Sequence, residues 1–428
     1  MSSDSPACVE LRSRVPSDWD VPALDAVTDF QEGPGILAKD FHESGVPLLR
    51  LRNIETPSVQ LGGCNFLDAD LVAKRWRHFG LAEGDLLIST SASLGRVSVV
   101  GPAAVGAIAY TGIIRFRSSS ARLHHKYLRA FLSSASFVEQ AERMATGSVI
   151  RHFGPSHLRQ MAIALPPLNE QLRIAEIFDA LDDRIALLRE TNATLEAIAQ
   201  ALFKSWFVDF DPVRAKQQGL APAGMDEATA ALFPDSFEES VLGSVPKGWQ
   251  VGALQDLLVL QRGFDLPSQD RIPGDFPIIA ASGPSGTHVE AMAKGPGVIT
   301  GRSGVLGRVF LELGDYWPLN TTLWVKEFRA ATACYAYEVL RLLDFKAFNA
   351  GSAVPTLNRN HIRGLPYVIP ARACVDTYEV FAQQMHQRAR VNEQQSQTLA
   401  TLRDTLLPRL ISGQLRLPES QPMMESKP

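Results

Sequence analysis

The feature that most constrains this chain is that it repeats itself at long range. Val15-Pro16 with Trp19 and Val21 returns as Val245-Pro246 with Trp249 and Val251, and Ala23-Leu24 returns as Ala253-Leu254. The offset of 230 residues holds through Gly33/Gly263 and Pro47/Pro277. Leu94-Gly95-Arg96-Val97 then answers to Leu306-Gly307-Arg308-Val309. By His157/His361, Leu165/Ile369 and Thr194/Thr398 the offset has narrowed to 204, so the copies differ by internal deletions. A repeat of this size is far longer than a solenoid unit and predicts two domains of one fold. A chain of 428 residues has room for two such cores.

Residues 1–14 are polar and read as a flexible N-terminus. Residues 15–168 carry short β-type runs bounded by Gly, Pro and Ser, such as Leu86–Thr90 and Gly112–Phe116, and a helical stretch near Lys126–Met144. This predicts a mixed α+β domain, repeated over 245–370 with a helix expected near Tyr335–Phe348. Between the domains the pattern changes. From Asn169 to Phe207 there is no Gly or Pro. Ile174, Leu181, Leu188, Leu195 and Leu202 recur every seven residues, with Phe178, Ile185, Asn192, Ala199 and Trp206 as a second line. That is a heptad seam on a helix about 58 Å long. The central helix is expected over 169–211, with Asn192 either fixing register inside the seam or standing half exposed.

Residues 212–244 have linker composition, with five acids, no basic residue after Gln217 and one short helix near Asp226–Leu232. A second long helix over 374–415 repeats the first (Ile198/Leu402, Leu202/Leu406, Phe203/Leu407), and 416–428 read as a disordered tail. Each helix carries a narrow apolar stripe that one globular domain cannot cover. The expected fold is therefore α+β, two domains joined by two long helices packed as an antiparallel coiled coil, with pseudo-twofold symmetry.

Composition excludes more than it identifies. Hydrophobic content of 45% and charged content of 21% are ordinary for a soluble protein. The N-terminus has no basic start or apolar run, so no signal peptide is expected, and no membrane span is. Cys8, Cys64, Cys334 and Cys374 form no CxxC pair, which fits a reducing cytoplasm. There is no GxxxxGK[ST], no GxGxxG, no His/Cys cluster at metal-ligand spacing and no Asn-Pro-Pro-aromatic motif. One nuclease-like fragment occurs, Asp344-Phe345-Lys346 downstream of Asp315, a pattern common by chance.

The net charge of −4 does not advertise a nucleic-acid binder, but the charge is segregated. Leu86–Phe137 contains no acid and carries Arg96, Arg115, Arg117, Arg122, Lys126 and Arg129. This window reads either as an anion footprint or as a basic solvated surface. In the second copy, Arg302 and Arg308 stand among Gly301, Gly304 and Gly307. An Arg fork there can bridge guanine O6/N7 or a phosphate. The first copy keeps Arg96 but has Thr90 where Arg302 stands. Framework residues match while polar loop residues change, as in two readers of different sequences or in ordinary turns with drifting surfaces.

Four segments carry a family resemblance. Pro166–Asp182 (PPLNEQLRIAEIFDALD) and Ala201–Val213 (ALFKSWFVDFDPV) resemble the central region of specificity subunits of type I restriction–modification systems. Leu402–Leu415 (LRDTLLPRLISGQL) resembles their C-terminal helix. Gly295–Gly304 with Trp317–Thr322 resembles one class of their target-recognition domain. The resemblance implies that each α+β domain reads one half of a split, asymmetric target in double-stranded DNA while the helices fix the unread spacer. It implies two modification subunits, which use S-adenosylmethionine, and two ATP- and Mg-dependent restriction subunits, with no active site, cofactor or metal in this chain. The candidate DNA contacts are then Ser91, Arg96, Tyr110, Thr111, Arg151 and His152 in the first domain. In the second they are Arg302, Ser303, Arg308, Asn320, Thr321, Asn358 and Arg359. The seam residues, with Phe203, Phe207, Leu399, Leu406 and Leu410, are the candidates for coiled-coil packing and partner docking. The alternatives are a coiled-coil scaffold that bridges proteins without reading DNA, and a metal-dependent nuclease centred on Asp344 and Lys346.

Overall fold

The structure is a computed structural model, and it describes residues 6–90, 96–144, 153–348 and 355–417. The chain divides into two compact units, Met1–Arg189 with Gln394–Pro428, and Glu190–Glu393. The long helices Leu168–Phe207 and Arg372–Ile411 each contribute one half to each unit. Among the described residues no helix is long and apolar enough to cross a membrane.

In the first unit a four-stranded antiparallel sheet has the order Thr28–Glu32, Ile113–Ser118, Leu86–Ser89, Val97–Val99. A smaller mixed sheet joins Asn65–Leu67, Val46–Leu49 and Ile108–Ala109. Strand Leu86–Ser89 is buried on both faces, which is why its sequence is a continuous apolar run rather than an alternation. Leu86 and Ile88 enter a core with Phe116, Phe131 and Phe137, while Leu87 enters a second with Leu49, Ala109 and Ile113. The first core is closed by Ile174 and Phe178 of the first long helix and by Leu407, Leu410 and Ile411 of the second.

The second unit repeats this topology. Its main sheet runs Leu258–Arg262, Thr322–Phe328, Gly297–Gly301, Val309–Glu312, and its small sheet joins Gly283–His288, Phe276–Ala280 and Trp317–Pro318. Val298 enters the core shared with the long helices, through Ala199, Phe203, Trp206, Phe207, Val375 and Tyr378. Ile299 packs on the other side with Ile279 and Tyr316.

Within each unit the helix halves run antiparallel. In the first unit Asp182 meets Arg403. In the second, Asn192 donates to the Ala389 carbonyl at 3.0 Å and accepts from Asn392 Nδ2 at 2.9 Å, and Tyr378 Oη donates to the Ala199 carbonyl at 3.1 Å. Asn192 therefore faces a second amide, a pairing that specifies alignment because shifting it would strand both. Of the predicted seam, Ile174, Phe178, Ile185, Leu188, Phe203, Trp206, Phe207 and Leu410 are buried; Leu181, Leu195, Leu202, Leu399 and Leu406 are half-buried.

Several expectations are corrected. Residues 6–12 of the expected loose N-terminus form a helix that buries Cys8 beside Val21 and Ala162. Residues 212–244 contain the short helix expected near Asp226–Leu232, at Glu227–Ala231, but their linker composition conceals a further helix, Asp211–Gln217, and a hairpin of Phe237–Ser240 with Gly243–Pro246, because Val213 and Phe233 insert into the second unit's core. The helix expected over Lys126–Met144 is two, His125–Leu132 and Ala135–Met144, interrupted where Ser134 Oγ bonds back to the Phe131 carbonyl at 2.6 Å. The one expected over Tyr335–Phe348 runs Ala333–Leu342 and then tightens into a 3-10 turn. Arg416, at the head of the expected tail, pairs with Asp18. Residues 418–428 lie outside the described residues.

Candidate nucleic-acid interface

The matched loops grow from matched strand ends. After the first strand of each main sheet the chain passes so close to a neighbouring turn that only glycine fits. A Cβ on Gly33 would lie 2.0 Å from the Ala109 carbonyl oxygen, and one on Gly263 would lie 2.2 Å from that of Leu319. Gly33 N donates to the Ile113 carbonyl at 3.0 Å, and Gly263 N to the Thr322 carbonyl at 3.1 Å. Next to each glycine an acid braces the facing turn. Glu32 accepts from Gly112 N at 3.1 Å and Thr111 Oγ1 at 3.4 Å, while Asp265 accepts from Asn320 Nδ2. Asp265 also holds Arg262 at 3.1 Å.

The second unit converges on this turn. Arg302 N and Ser303 N both donate to the Thr321 carbonyl, at 2.8 and 3.1 Å. Arg302 Nη1 reaches the Asn320 carbonyl at 3.4 Å, and Leu357 N donates to the Arg302 carbonyl at 2.8 Å. Arg302, Ser303, Asn320 and Thr321 thus form one half-exposed cluster, with exposed Asn358 one residue beyond Leu357. Asn358 Oδ1 accepts from Asn360 N at 3.0 Å, and Arg359 Nη1 donates to the Leu260 carbonyl at 3.3 Å. Arg308 is exposed and donates to the Ser282 carbonyl at 2.9 Å. These guanidinium groups are steadied by carbonyls, not neutralised by carboxylates, so each keeps its charge and most of its five donors for a ligand.

The first unit builds the same turn with other groups. Thr90 N donates to the Gly112 carbonyl at 2.9 Å, the bond Arg302 N makes in the second unit, but Thr90 is buried. Thr111 is exposed. Tyr110 is half-buried, its hydroxyl donating to the Ile36 carbonyl at 3.2 Å with the Arg50 guanidinium 5.7 Å from its ring. Arg96 is exposed and lines a cavity of about 400 Å3 with Phe178, Asp182 and Arg189 of the first long helix and Arg403 of the second. Ser91, Arg151 and His152 lie outside the described residues.

The basic window Leu86–Phe137 is largely consumed by internal pairs, a correction to both readings of it. Arg115 pairs with Asp29, Arg117 with the buried Asp85, Arg122 with Asp20, and Lys126 with Asp179. Arg129 is buried between Asp179 and Asp182, 2.9 Å from each. These acids lie outside the acid-free window, so no local count of charge could reveal them. Arg50, Glu32 and Asp265 were missed at the sequence level. The available signal for the two acids was their position within two residues of the matched glycines. Of the nuclease-like fragment, Asp315 is occupied in accepting from Gly295 N at 3.1 Å. Among the described residues no cluster of three His, Cys, Asp or Glu side chains is placed to hold a metal ion.

Comparison with known proteins gives a consistent set. Residues 16–197 match the family model described as type I restriction modification DNA specificity domain. The type I restriction enzyme MjaIX specificity subunit of Methanocaldococcus jannaschii is 22% identical over 438 residues, covering 95% of each chain. The type I restriction enzyme HindI specificity subunit of Haemophilus influenzae is 35% identical over 135 residues, 23% of this chain and 29% of that one. In fold, the chain is similar to the type I restriction–modification S subunit of M. genitalium, with a TM-score of 0.60 at 16% identity over 93% of this chain and 96% of that one.

Proposed function

We propose that the chain is a specificity subunit of a type I restriction–modification system and selects a bipartite, asymmetric DNA target, each unit reading one half-site. The observation that carries the reading is the turn common to both units. One backbone hydrogen bond, to the Thr321 carbonyl or to the Gly112 carbonyl, is made by Arg302 in one unit and by Thr90 in the other. One scaffold therefore presents a half-exposed guanidinium on one side and none on the other, which suits two half-sites of unlike sequence.

In the second unit Arg302 has the chemistry to bridge guanine O6 and N7, and Asp265 can accept from an exocyclic amino group. Arg308 and Asn358 supply further donors at the rim. In the first unit Thr111, Tyr110 and Arg96 are the described candidates. Double-stranded DNA is the ligand. Two modification subunits supply S-adenosylmethionine-dependent methylation of adenine, and two restriction subunits supply ATP- and Mg-dependent cleavage. This chain contributes recognition and scaffolding, without a catalytic group, in the cytoplasm.

Methylome sequencing of cells expressing this chain with its modification subunit tests the reading. One methylated motif with two unlike half-sites and a fixed unread spacer is expected. An undivided motif, a palindrome or no chain-dependent methylation would overturn it.

A further inference from the structure

Beside the loop cluster, the second unit holds a cavity of about 260 Å3 with a buried aliphatic floor and an arginine wall. Leu254, Leu258 and Leu260 form the floor, and Arg329, Arg359 and Arg363 stand around it. Two of the guanidinium groups are positioned by backbone carbonyls. Arg329 Nη1 donates to the Gln255 carbonyl at 3.0 Å, and Arg359 Nη1 to that of Leu260 at 3.3 Å. Arg363 has no hydrogen-bond or ion-pair partner for its guanidinium among the described residues. Among the described residues one carboxylate forms an ion pair with these arginines, Glu327, 3.2 Å from Arg329 Nε. Three positive groups against one negative leave an excess of positive charge, with unused donors, over an apolar surface. Water alone would not favour gathering like charges in one cavity.

We propose that this cavity binds a sugar–phosphate unit, with the DNA backbone as its source. Guanidinium forks match phosphate oxygens, and the leucine floor suits the carbon face of a deoxyribose. The inference rests on the DNA-reading function above, but assigns Arg359 to the backbone instead of a base. It is also one-sided. By the repeat register and strand pairing, Arg329, Arg359 and Arg363 correspond to Ser119, Pro155 and Arg159 in the first unit, and Gln255 and Val259 to Asp25 and Asp29. By the same pairing Glu327 corresponds to Arg117, so the matched place in the first unit sets Arg117 and Arg159 against Asp25 and Asp29 and has no excess of positive charge to hold an anion.

The test uses the full chain assembled with its modification subunits and a duplex carrying the methylated motif. Log affinity is measured against log salt concentration. Arg359→Gln with Arg363→Gln should reduce the slope by about one, weaken cognate and unrelated duplexes alike, and leave the methylated motif unchanged. Arg359→Lys with Arg363→Lys should restore most of the slope, and Arg363→Gln alone keeps the test available if the pair fails to fold. An unchanged slope overturns the proposal, and so does a changed motif, which would return Arg359 to base reading. Deoxyadenosine monophosphate serves as the probe for the other source. If it stabilises the wild-type chain against heat but not the glutamine pair, while the slope stays constant, the cavity takes a free nucleotide and the DNA backbone is ruled out. A wild-type assembly that binds no duplex would instead sink the function on which the inference rests.

Discussion

The two units fasten to the same pair of long helices by different chemistry. In the first, a buried guanidinium does it. Arg129 bridges Asp179 and Asp182, its charge 5.4 Å from the Phe178 ring, and Arg403 takes the other oxygen of Asp182 at 2.7 Å. In the second, aromatic rings do it. Phe203 and Phe207 lie 5.2 and 4.9 Å from Tyr335, Phe207 lies 5.6 Å from Tyr378, and Trp206 lies 5.3 Å from Phe233. The ion pair nearest to a counterpart, Arg341 with Glu196, is half exposed. Topology and apolar seam are shared, while the polar anchor is not. The helix pairing is therefore set by the seam, and the anchors are local solutions to what remains uncovered. The aromatic end also assigns Phe203, Trp206 and Phe207 to closing the second unit's core.

The comparison can be broken most forcefully at the aromatic end. Phe207→Ala should cost about 3–5 kcal/mol, as deletion of a buried ring in a packed cluster does. Hydrogen exchange should locate the loss in the second unit, leaving the first unit protected. Equal loss of protection in both would mean that the units are not separately anchored.

Arg129→Met should cost about 3 kcal/mol, because it leaves Asp182 buried with one cation instead of two. Calorimetry on the full chain measures it. Arg341→Met, at the exposed pair, should cost under about 1 kcal/mol. Similar costs for both would erase the distinction between a buried and a solvated anchor.

A third test uses pH. Glu338 is buried, its Oε1 accepts no hydrogen bond, and burial raises its carboxyl from the ordinary 4.5 to about 7, against the lowering effect of Arg341, whose guanidinium lies 3.5 Å from that oxygen. The folded state then holds this proton up to about pH 7, while the unfolded chain releases it near 4.5. The resulting stability is fully present below pH 4.5 and is lost as pH rises through 7, a change of about 3 kcal/mol. Glu338→Gln should flatten that part of the pH profile of the second unit. An unaltered profile would show that Glu338 ionises normally.

The last test concerns the loops. Arg302→Ala should cost about 1–3 kcal/mol of base discrimination, in one half-site only. Binding measured on duplexes substituted base by base in each half-site distinguishes this from a uniform loss. A uniform loss would make Arg302 a backbone contact and weaken the contrast with Thr90.

Much of this was legible in the sequence. An uninterrupted seven-residue apolar period with no helix breaker determined the first long helix, because one apolar stripe per turn is a local property. The glycines at 33 and 263 determined where strand and turn crowd together, because no other residue leaves room. The repeat determined that the two sheets share one strand order. Only the tertiary structure decided where the charges went. Arg115 is paired with Asp29, Arg117 with Asp85 and Arg129 with Asp179 and Asp182, all acids distant along the chain. Gln171, polar and on the helix, is buried because it bonds His124 N and the Arg122 and Pro166 carbonyls at once. Periodicity records which face of an element avoids water. It carries no information on which remote partner will satisfy a buried charge or amide, since that depends on distances that exist only after folding.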